Sequence, residues 1–341
     1  MRIIIDAMGG DKAPEAPLLG AAEAIKEYGV EITAVGNEAA IAAVMQKNNI
    51  PAGTFAIVHA PDVIDMEEDA TDILRKKPDS SLAVAMRLLA EGAGDALVSA
   101  GNTGALLVGA TMIVKRIKGI KRAAIGMLLP GRPTPWLLID CGANVECRPE
   151  QLVQFGAMGS AYMQKVQGIA SPRVGLVNNG TEESKGTALQ QAAYPLLQQS
   201  GLDFIGNLEA RHAPEGVADV IVTDGFTGNA MLKMLEGAAR LFTGMLKEMF
   251  YSSTKTKLAA LLSKGALDDF RKQLDYTEYG GAPLLGVQKP VIKAHGSSNG
   301  NAVKNAIRQA TLCVENDLPG TIAAWLKQYK AAQTETDGDD E

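Results

Sequence analysis

A loop of similar chemistry recurs six times along this chain and constrains its fold more than any other feature. Each time, a short apolar run ends in Gly, Asn, Asp, Ser and Thr residues, and a helix-like segment follows. The loops begin at Asp6, Ser99, Asp140, Asn178, Asp224 and His295. In an open parallel sheet, the loops at the carboxyl ends of the strands share one edge, so the pattern predicts one polar crevice. Because glycines allow close backbone approach and helix N-termini offer unpaired N–H groups, we expect this crevice to hold phosphate.

Between these loops, apolar runs alternate with helix-like segments over almost the whole chain. Strands are predicted at residues 2–6, 31–35, 54–59, 95–99, 123–129, 136–140, 173–178, 219–224 and 290–294. Helices are predicted at residues 14–28, 80–92, 102–118, 149–166, 186–200, 229–250 and 300–315. Most of the apolar runs are continuous, as expected for strands that are covered on both faces. The alternation predicts a doubly wound α/β fold with a mainly parallel sheet.

No linker divides the chain, so we expect a single domain over residues 1–330 and an acidic, disordered tail over residues 331–341. The tail holds five of the 39 acidic residues, and the remaining 34 nearly balance the 33 basic ones. Nucleic-acid binding calls for a strong basic excess and is therefore not expected. The three cysteines have no motif spacing, which fits a reducing cytoplasm.

Residues 96–114 form an uncharged run long enough to raise the question of a membrane span. Ser99, Asn102, Thr103 and three glycines interrupt this run. A buried strand, a loop and a buried helix are therefore predicted instead.

Residues 250–282 interrupt the alternation with an amphipathic pattern. Leucines recur there at roughly helical spacing, among them Leu258, Leu261 and Leu262, with Lys257 and Lys264 between them. One interpretation is a helical hairpin packed on the core or at a dimer interface. The other is a protruding amphipathic element that faces a membrane or a fatty acyl chain.

The loop NNGTEESKG, residues 178–186, contains a single cation, Lys185, just before a predicted helix. A lysine in this position can place its charge on a phosphate while helix N–H groups hold the other oxygens. The alternative is a solvated lysine. Glu182 and Glu183 can also be first-turn acids that favour the helix start.

Asn229 ends the loop DGFTGN and directly precedes a strongly helical run. Its side chain can be a plain helix cap. It can equally donate a hydrogen bond to a phosphate oxygen or an oxyanion. Spacing alone does not separate the two interpretations.

Other reactive side chains near the loops are weaker candidates. His295 precedes Ser297 in the last loop and can act as an acid or base, or as a structural histidine. Cys141 can be a nucleophile or a small buried thiol. The chain has three histidines and neither HExxH nor paired-cysteine spacing, so neither a metal site nor a cofactor is expected. It also lacks GxSxG, GxxxxGK[ST] and GxGxxG motifs, so the expected phosphate belongs neither to a nucleoside triphosphate nor to NAD.

Several of these motifs together closely resemble one family. They are IDAMGGDKAP, KKPDSSL, SAGNTGAL, DCGAN, NNGTEESKG, VTDGFTGN, YGGAPLLG and PVIKAHGSS, in this order. The family comprises the phosphate acyltransferases of bacterial phospholipid synthesis, the PlsX family. The resemblance runs from Arg2 to about Val314 and implies a three-layer αβα fold similar to phosphotransacetylases.

The resemblance also implies a reaction and its partners. Orthophosphate attacks the thioester of a fatty acyl–acyl carrier protein, and acyl phosphate and the free carrier thiol are formed. The implied enzyme is a cytoplasmic homodimer that works at the inner face of the cell membrane, beside a glycerol-3-phosphate acyltransferase that uses acyl phosphate. The family's amphipathic tip matches residues 250–275.

Lys185 and Asn229 fall where the family's proposed active-site lysine and asparagine lie. We therefore expect Lys185 to bind phosphate and Asn229 to donate to phosphate or to the tetrahedral oxyanion. Residues expected to line the crevice are Asp6, Asn102, Thr103, His295 and Ser297.

The acidic carrier protein needs a basic docking patch. Residues 115–122 offer one and the lysines of residues 250–275 another, and the second is favoured. Three rival functions remain. They are a phosphotransacetylase that uses acetyl- or butyryl-coenzyme A, a metal- and NAD-dependent decarboxylating dehydrogenase, and a non-catalytic scaffold at the membrane surface.

Overall fold

In the computed structural model, which describes residues 1–267, 270 and 280–338, eleven strands form one sheet. They are β1 (Arg2–Asp6), β2 (Glu31–Gly36), β3 (Ala56–His59), β4 (Ala96–Ser99), β5 (Ala124–Leu129), β6 (Trp136–Ile139), β7 (Arg173–Asn178), β8 (Asp203–Glu209), β9 (Val220–Val222), β10 (Ala282–Leu285) and β11 (Val291–Lys293). All nine predicted strands are present, and β8 and β10 are additional.

Helices connect most of these strands, as the alternation predicts. They are α1 (Glu15–Tyr28), α2 (Glu38–Lys47), α3 (Ser81–Ala90), α4 (Thr103–Gly109), α5 (Pro149–Lys165), α6 (Ala188–Gln198), α7 (Gly225–Tyr251), α8 (Thr254–Leu262), α9 (Gly300–Glu315) and α10 (Leu318–Gly338). A π-helical stretch, Ala110–Lys115, follows α4, and short 3-10 turns lie at Ala70–Ile73 and Ala210–Glu215.

The sheet has the order β3-β2-β1-β4-β11-β10-β5-β6-β9-β7-β8 and reverses direction near its centre. Strands β1, β2, β3, β4 and β11 are parallel, and so are β6, β7, β8 and β9. Between these halves, β10 is antiparallel to β11 and β5, and β5 is antiparallel to β6. The two halves therefore run in opposite directions. The expectation that all six loops share one edge is wrong, because three follow strands of one half and three follow strands of the other.

Both faces of the sheet are covered, which gives the three-layer αβα arrangement. Successive residues of β1 point to opposite faces. Ile3 and Ile5 belong to one core cluster with residues of α1, α5 and α9, whereas Ile4 belongs to a second cluster with residues of α3 and α4. Leu232 of α7 joins the second cluster. The predicted fold class is confirmed.

The uncharged run 96–114 is β4, a loop, α4 and the first part of the π-helical stretch, as predicted. Leu97, Leu106 and Ala110 are completely buried in it. Within the described residues, no helix is both long and apolar enough to cross a membrane.

Two predicted boundaries differ from the structure by four residues or more. Helix α7 begins at Gly225 instead of residue 229, because Asp224 caps it by accepting a hydrogen bond from the Thr227 N–H at 2.9 Å. Helix α10 continues to Gly338, into the segment predicted to be a disordered tail. Residues 339–341 lie outside the described part. The extent of the single domain remains a prediction.

Helix α7 leaves the body of the protein after its first two turns. It has 27 residues and spans about 40 Å. Its buried residues are Gly225, Gly228 and Leu232, all near its start. The protruding element predicted at residues 250–282 therefore begins earlier, within α7, while residues 268–269 and 271–279 of that prediction lie outside the described residues.

The start of α7 is pressed against the loop that follows β6. A Cβ atom at Gly228 would lie 1.9 Å from the Asp140 carbonyl oxygen, whereas a Cβ at Gly237 would meet no atom within 4 Å. We expect Gly228→Ala to lower the free energy of unfolding by about 1–3 kcal/mol, since the backbones must separate. Gly237→Ala, in the same helix, should raise it by up to about 1 kcal/mol. Urea denaturation of both variants measures this contrast, and equal effects would contradict the close contact.

Candidate active site

A cavity of about 440 Å³ lies across the central strands, where the sheet reverses direction. The strands contribute Ile125, Met127, Ala282 and Lys293 to its lining. The loops after β1, β6 and β11 contribute Asp11, Cys141, Gly142, His295, Gly296 and Ser298, and the start of α4 contributes Thr103. Helix α7 contributes Asn229, Leu232, Lys233 and Glu236. Loops that follow strands of both halves therefore meet at this cavity. Five of the six predicted loops reach it, either directly or through the helix that they precede.

Asn229 lies in the second turn of α7, and its side chain borders the cavity. The cap of this helix is Asp224, so the interpretation of Asn229 as the cap is wrong. Gly142 lies beside it: a Cβ atom there would be in ordinary van der Waals contact with the Cβ of Asn229, at 3.4 Å, and its φ of 123° favours glycine. An amide that is not used as a cap can present its N–H groups to a ligand.

The loop after β6, which lies beside Asn229, is shaped by the buried carboxylate of Asp140. Asp140 accepts hydrogen bonds from the N–H groups of Ile125 at 3.0 Å and Asn144 at 2.7 Å, and from the Asn144 side chain at 2.9 Å. Burial nevertheless raises the pKa of Asp140 above its ordinary value. These bonds hold Cys141 and Gly142 at the cavity.

Cys141 is the cavity thiol and is unsuited to nucleophilic attack. Its Sγ lies 3.2 Å from the Leu138 carbonyl oxygen, to which it donates. Burial, and then repulsion by Asp140, raise the pKa of Cys141 well above its ordinary value. The group therefore stays a neutral thiol at physiological pH, which agrees with the interpretation of a small buried cysteine.

Lys185, in contrast, is exposed on the loop after β7 and does not contribute to the described lining of the cavity. Its carbonyl accepts a hydrogen bond from the Asn178 side chain at 3.1 Å. Strand β7 is the neighbour of β9, so this loop and the one leading to α7 share a sheet edge. Helix α6 starts at Ala188, so Glu182 and Glu183 are not its first-turn acids.

Asp6 and Asn102 are both buried, and their hydrogen bonds stabilise the loops that line the cavity. Asp6 accepts hydrogen bonds from the hydroxyl groups of Ser81 and Ser99, each at 2.7 Å, and burial raises its pKa. Asn102 caps α4 and donates from its Nδ2 to three backbone carbonyls of the 65–68 segment at 3.1–3.2 Å. Thr103, the next residue, lines the cavity itself.

His295 lines the cavity, while Ser297 holds its ring. The Ser297 N–H donates to His295 Nδ1 at 3.2 Å, and the Ser297 hydroxyl lies 2.9 Å from the same nitrogen. Burial, and then repulsion by Lys293, lower the pKa of His295 below its ordinary value. The imidazole is therefore neutral at pH 7, and a neutral ring that accepts at Nδ1 carries its proton on Nε2.

Lys293 is the cavity residue that sequence reasoning missed. It ends β11 and is 9% exposed. Burial lowers its pKa to about 8. The one signal in the sequence was a lysine that terminates an apolar run, in PVIKAH.

The residues predicted to touch a carrier protein or a membrane lie away from the cavity. Lys257, Leu258, Leu261 and Leu262 belong to α8, and Lys264 follows two residues later. All are exposed. In the described part of the chain, no group of three or more His, Cys, Asp and Glu side chains is arranged to hold a metal ion.

Comparison with known proteins agrees with this architecture. Residues 1–320 match the family described as fatty acid synthesis protein. The phosphate acyltransferase of Clostridium acetobutylicum is 48% identical over 329 residues, which cover 96% of this chain and 99% of the relative. That of Alkaliphilus oremlandii is also 48% identical, over 93% of this chain and 94% of the relative.

A phosphotransacetylase from Streptococcus pyogenes superposes with a TM-score of 0.65 at 19% identity, over 92% of this chain and 94% of that one. This likeness concerns the fold alone. The resemblance in the motifs is thus confirmed over nearly the whole length, and the chain belongs to the phosphate acyltransferase family of fatty acid synthesis proteins.

Proposed function

We propose that this chain transfers a long-chain fatty acyl group from an acyl carrier protein to inorganic phosphate and releases acyl phosphate for phospholipid synthesis. One observation carries the choice of a long-chain donor. Helix α7 places Asn229 and Leu232 at the cavity and then continues outward, where Leu246 and Phe250 on the same side of the helix line an apolar groove. An acyl chain whose thioester lies in the cavity can follow this side of the helix out of the body.

The reaction needs positioning and charge stabilisation more than a protein nucleophile. A phosphate oxygen attacks the thioester carbonyl carbon and forms the C–O bond of a tetrahedral oxyanion, and the C–S bond breaks when this oxyanion collapses. The sulfur leaves with the electron pair and takes up a proton to give the carrier thiol. Phosphate is already an anion at neutral pH, so holding it against the carbonyl and stabilising the tetrahedral oxyanion are the tasks of the site.

Asn229 is the proposed donor to the oxyanion or to the phosphate, and Lys185 is proposed to bind phosphate from the neighbouring loop. Thr103 and His295 are proposed to line the substrate site. Asp6, Asn102 and Ser297 act through hydrogen bonds that fix the loops around it. Cys141 has no covalent role in this proposal, because its thiol stays protonated.

The protruding element is proposed to meet both the carrier protein and the membrane. A groove of about 620 Å³ lies between α7 and the residues around α8, lined by Leu246, Phe250 and Leu261 with Lys257 and Lys264 beside them. Lysines attract an acidic carrier and anionic lipids, and exposed apolar side chains enter the lipid interface.

The proposed setting follows the family resemblance. The enzyme works as a homodimer in the cytoplasm, at the inner face of the cell membrane. A glycerol-3-phosphate acyltransferase that uses acyl phosphate consumes the product there.

The choice of donor is tested by product trapping. The purified chain is incubated with phosphate and either palmitoyl–acyl carrier protein or acetyl-coenzyme A, and acyl phosphate is trapped with hydroxylamine. We expect hydroxamate from the first pair and none above background from the second. Product from acetyl-coenzyme A alone would favour a phosphotransacetylase, and binding to vesicles without any product would favour a scaffold.

The role of Asn229 is tested by Asn229→Ala. Loss of one oxyanion donor lowers kcat by about 100- to 1,000-fold in a known case, and we expect a loss of that order here. Asn37→Ala is the control, because Asn37 caps α2 through its side chain and lies outside the described cavity lining. Lys185→Ala should also lose activity. Near-normal acyl phosphate formation by both folded variants would overturn these two roles.

Docking of the carrier is tested by charge reversal at Lys257 and Lys264. The double variant to Glu should raise the KM for the acyl carrier protein at least tenfold, since like charges repel the acidic carrier. Reversal of Lys118 and Lys121, in the other basic patch, is the control and should change this KM little. If only the control pair raises the KM, the carrier docks on residues 115–122 instead.

A further inference from the structure

Lys293 is a buried cation at the cavity, and its place is fixed by the sheet. It pairs with Ser99 of β4 on one side and with Ala282 of β10 on the other. It therefore lies at the point where the parallel half of the sheet meets the first antiparallel strand. An exposed lysine side chain populates many rotamers. The side chain of Lys293 is held at the end of a central strand and has lost this rotamer freedom on folding.

Within the described part of the chain, backbone oxygens hold the Lys293 ammonium. Its Nζ donates to the carbonyl of Ala100 at 3.2 Å and to that of Ala294 at 2.5 Å. An ammonium group has three donors, so these two bonds leave one. Among the described residues, no carboxylate oxygen lies within ion-pair distance of this nitrogen.

A buried charge without a paired counter-charge is costly unless a ligand compensates it. Asp6 and Asp11 are the carboxylates whose fields act on Lys293. Asp6 is already engaged by the hydroxyl groups of Ser81 and Ser99. On the far side of the cavity, Lys233 and Glu236 of α7 pair with each other at 2.9 Å. Among the residues that the structure describes, the charge of Lys293 thus has no direct partner.

We propose that Lys293 binds the attacking phosphate in the cavity through its third N–H group and holds it opposite Asn229. This inference rests on the proposed function and adds, to Lys185 on the neighbouring loop, the group that receives the phosphate inside the cavity. A phosphate on Lys293 gains a charge-assisted hydrogen bond from an ammonium group that is itself buried, and such bonds are strong. Its other oxygens face the cavity, where the thioester carbonyl approaches.

Binding by Lys293 has a distinctive pH dependence. The lysine is charged below its pKa of about 8 and loses its proton above it, so phosphate binding should weaken between pH 7 and pH 9. Two other groups at the cavity keep their state in this interval. His295 is already neutral, because its pKa is lowered, and Cys141 stays protonated, because its pKa is raised.

Binding is measured by 31P NMR titration of the full chain with inorganic phosphate, and kinetics are measured alongside. Lys293→Met should raise the Kd and the KM for phosphate at least tenfold at pH 7. Lys304→Met is the matched control, since Lys304 is another poorly exposed lysine that pairs with Glu27 outside the cavity. The Kd of this control variant for phosphate should stay within twofold of that of the unmodified chain.

Lys293→Arg keeps the proposal testable if the methionine variant does not fold. Arginine stays charged at pH 9, so its Kd for phosphate should rise less between pH 7 and pH 9 than that of the original chain. An equal rise in both, or an unchanged Kd in folded Lys293→Met, overturns the role of Lys293. If the unmodified chain binds phosphate but forms no acyl phosphate, the proposed function is overturned. The binding data then still decide the role of Lys293.

Discussion

The reversal of strand direction at the centre of the sheet is the constraint on which the site depends. Because β10 is inserted antiparallel between β11 and β5, and β5 is antiparallel to β6, the two parallel halves point in opposite directions. A sheet with one direction would gather all its loops at one edge. Here the loops come from two groups and meet over the central strands. Elements of both halves therefore line the cavity. One half contributes His295 and Thr103, and the other contributes Gly142 and Asn229.

Burial then sets the ionisation of the groups that face the cavity. It lowers the pKa of Lys293 to about 8, lowers that of His295 and raises that of Cys141. At neutral pH, Lys293 is therefore a cation, His295 a neutral imidazole and Cys141 a neutral thiol, and all three line the cavity with the amide of Asn229. Such a set suits an anionic nucleophile that arrives from outside, because the site supplies positive charge and hydrogen-bond donors. It does not suit a thiolate nucleophile, which would have to form against desolvation.

The sequence predicted most strands of the parallel halves because their apolar runs are continuous and their loops are rich in glycine and asparagine. It did not predict β8, which has polar residues and lies at the end of the described sheet. It also did not predict β10 (APLL), which pairs with β5 about 160 residues earlier and with β11 across a turn. The direction of β10 is set by this long-range pairing and is invisible in local periodicity. The same holds for Lys293, because only the fold shows that its ammonium group is buried and faces a cavity.

The motifs predicted the chemistry of the site better than they predicted which side chains line the cavity. Asn229, Thr103 and His295 were predicted and do lie together, whereas Asp6, Asn102 and Ser297 turn out to fix the loops behind them. Hydrogen-bonding residues in glycine-rich loops serve both purposes, and sequence spacing does not distinguish a side chain that faces a ligand from one that holds the backbone.

The central claim is that phosphate meets the thioester in the cavity across the reversed strands. The most direct measurement is the position of arsenate, an anomalously scattering analogue of phosphate, in crystals of the full chain. The account predicts an anomalous peak within hydrogen-bond distance of the Lys293 ammonium group. Arsenate bound only outside the cavity, beyond hydrogen-bond distance of both Lys293 and Asn229, would contradict it.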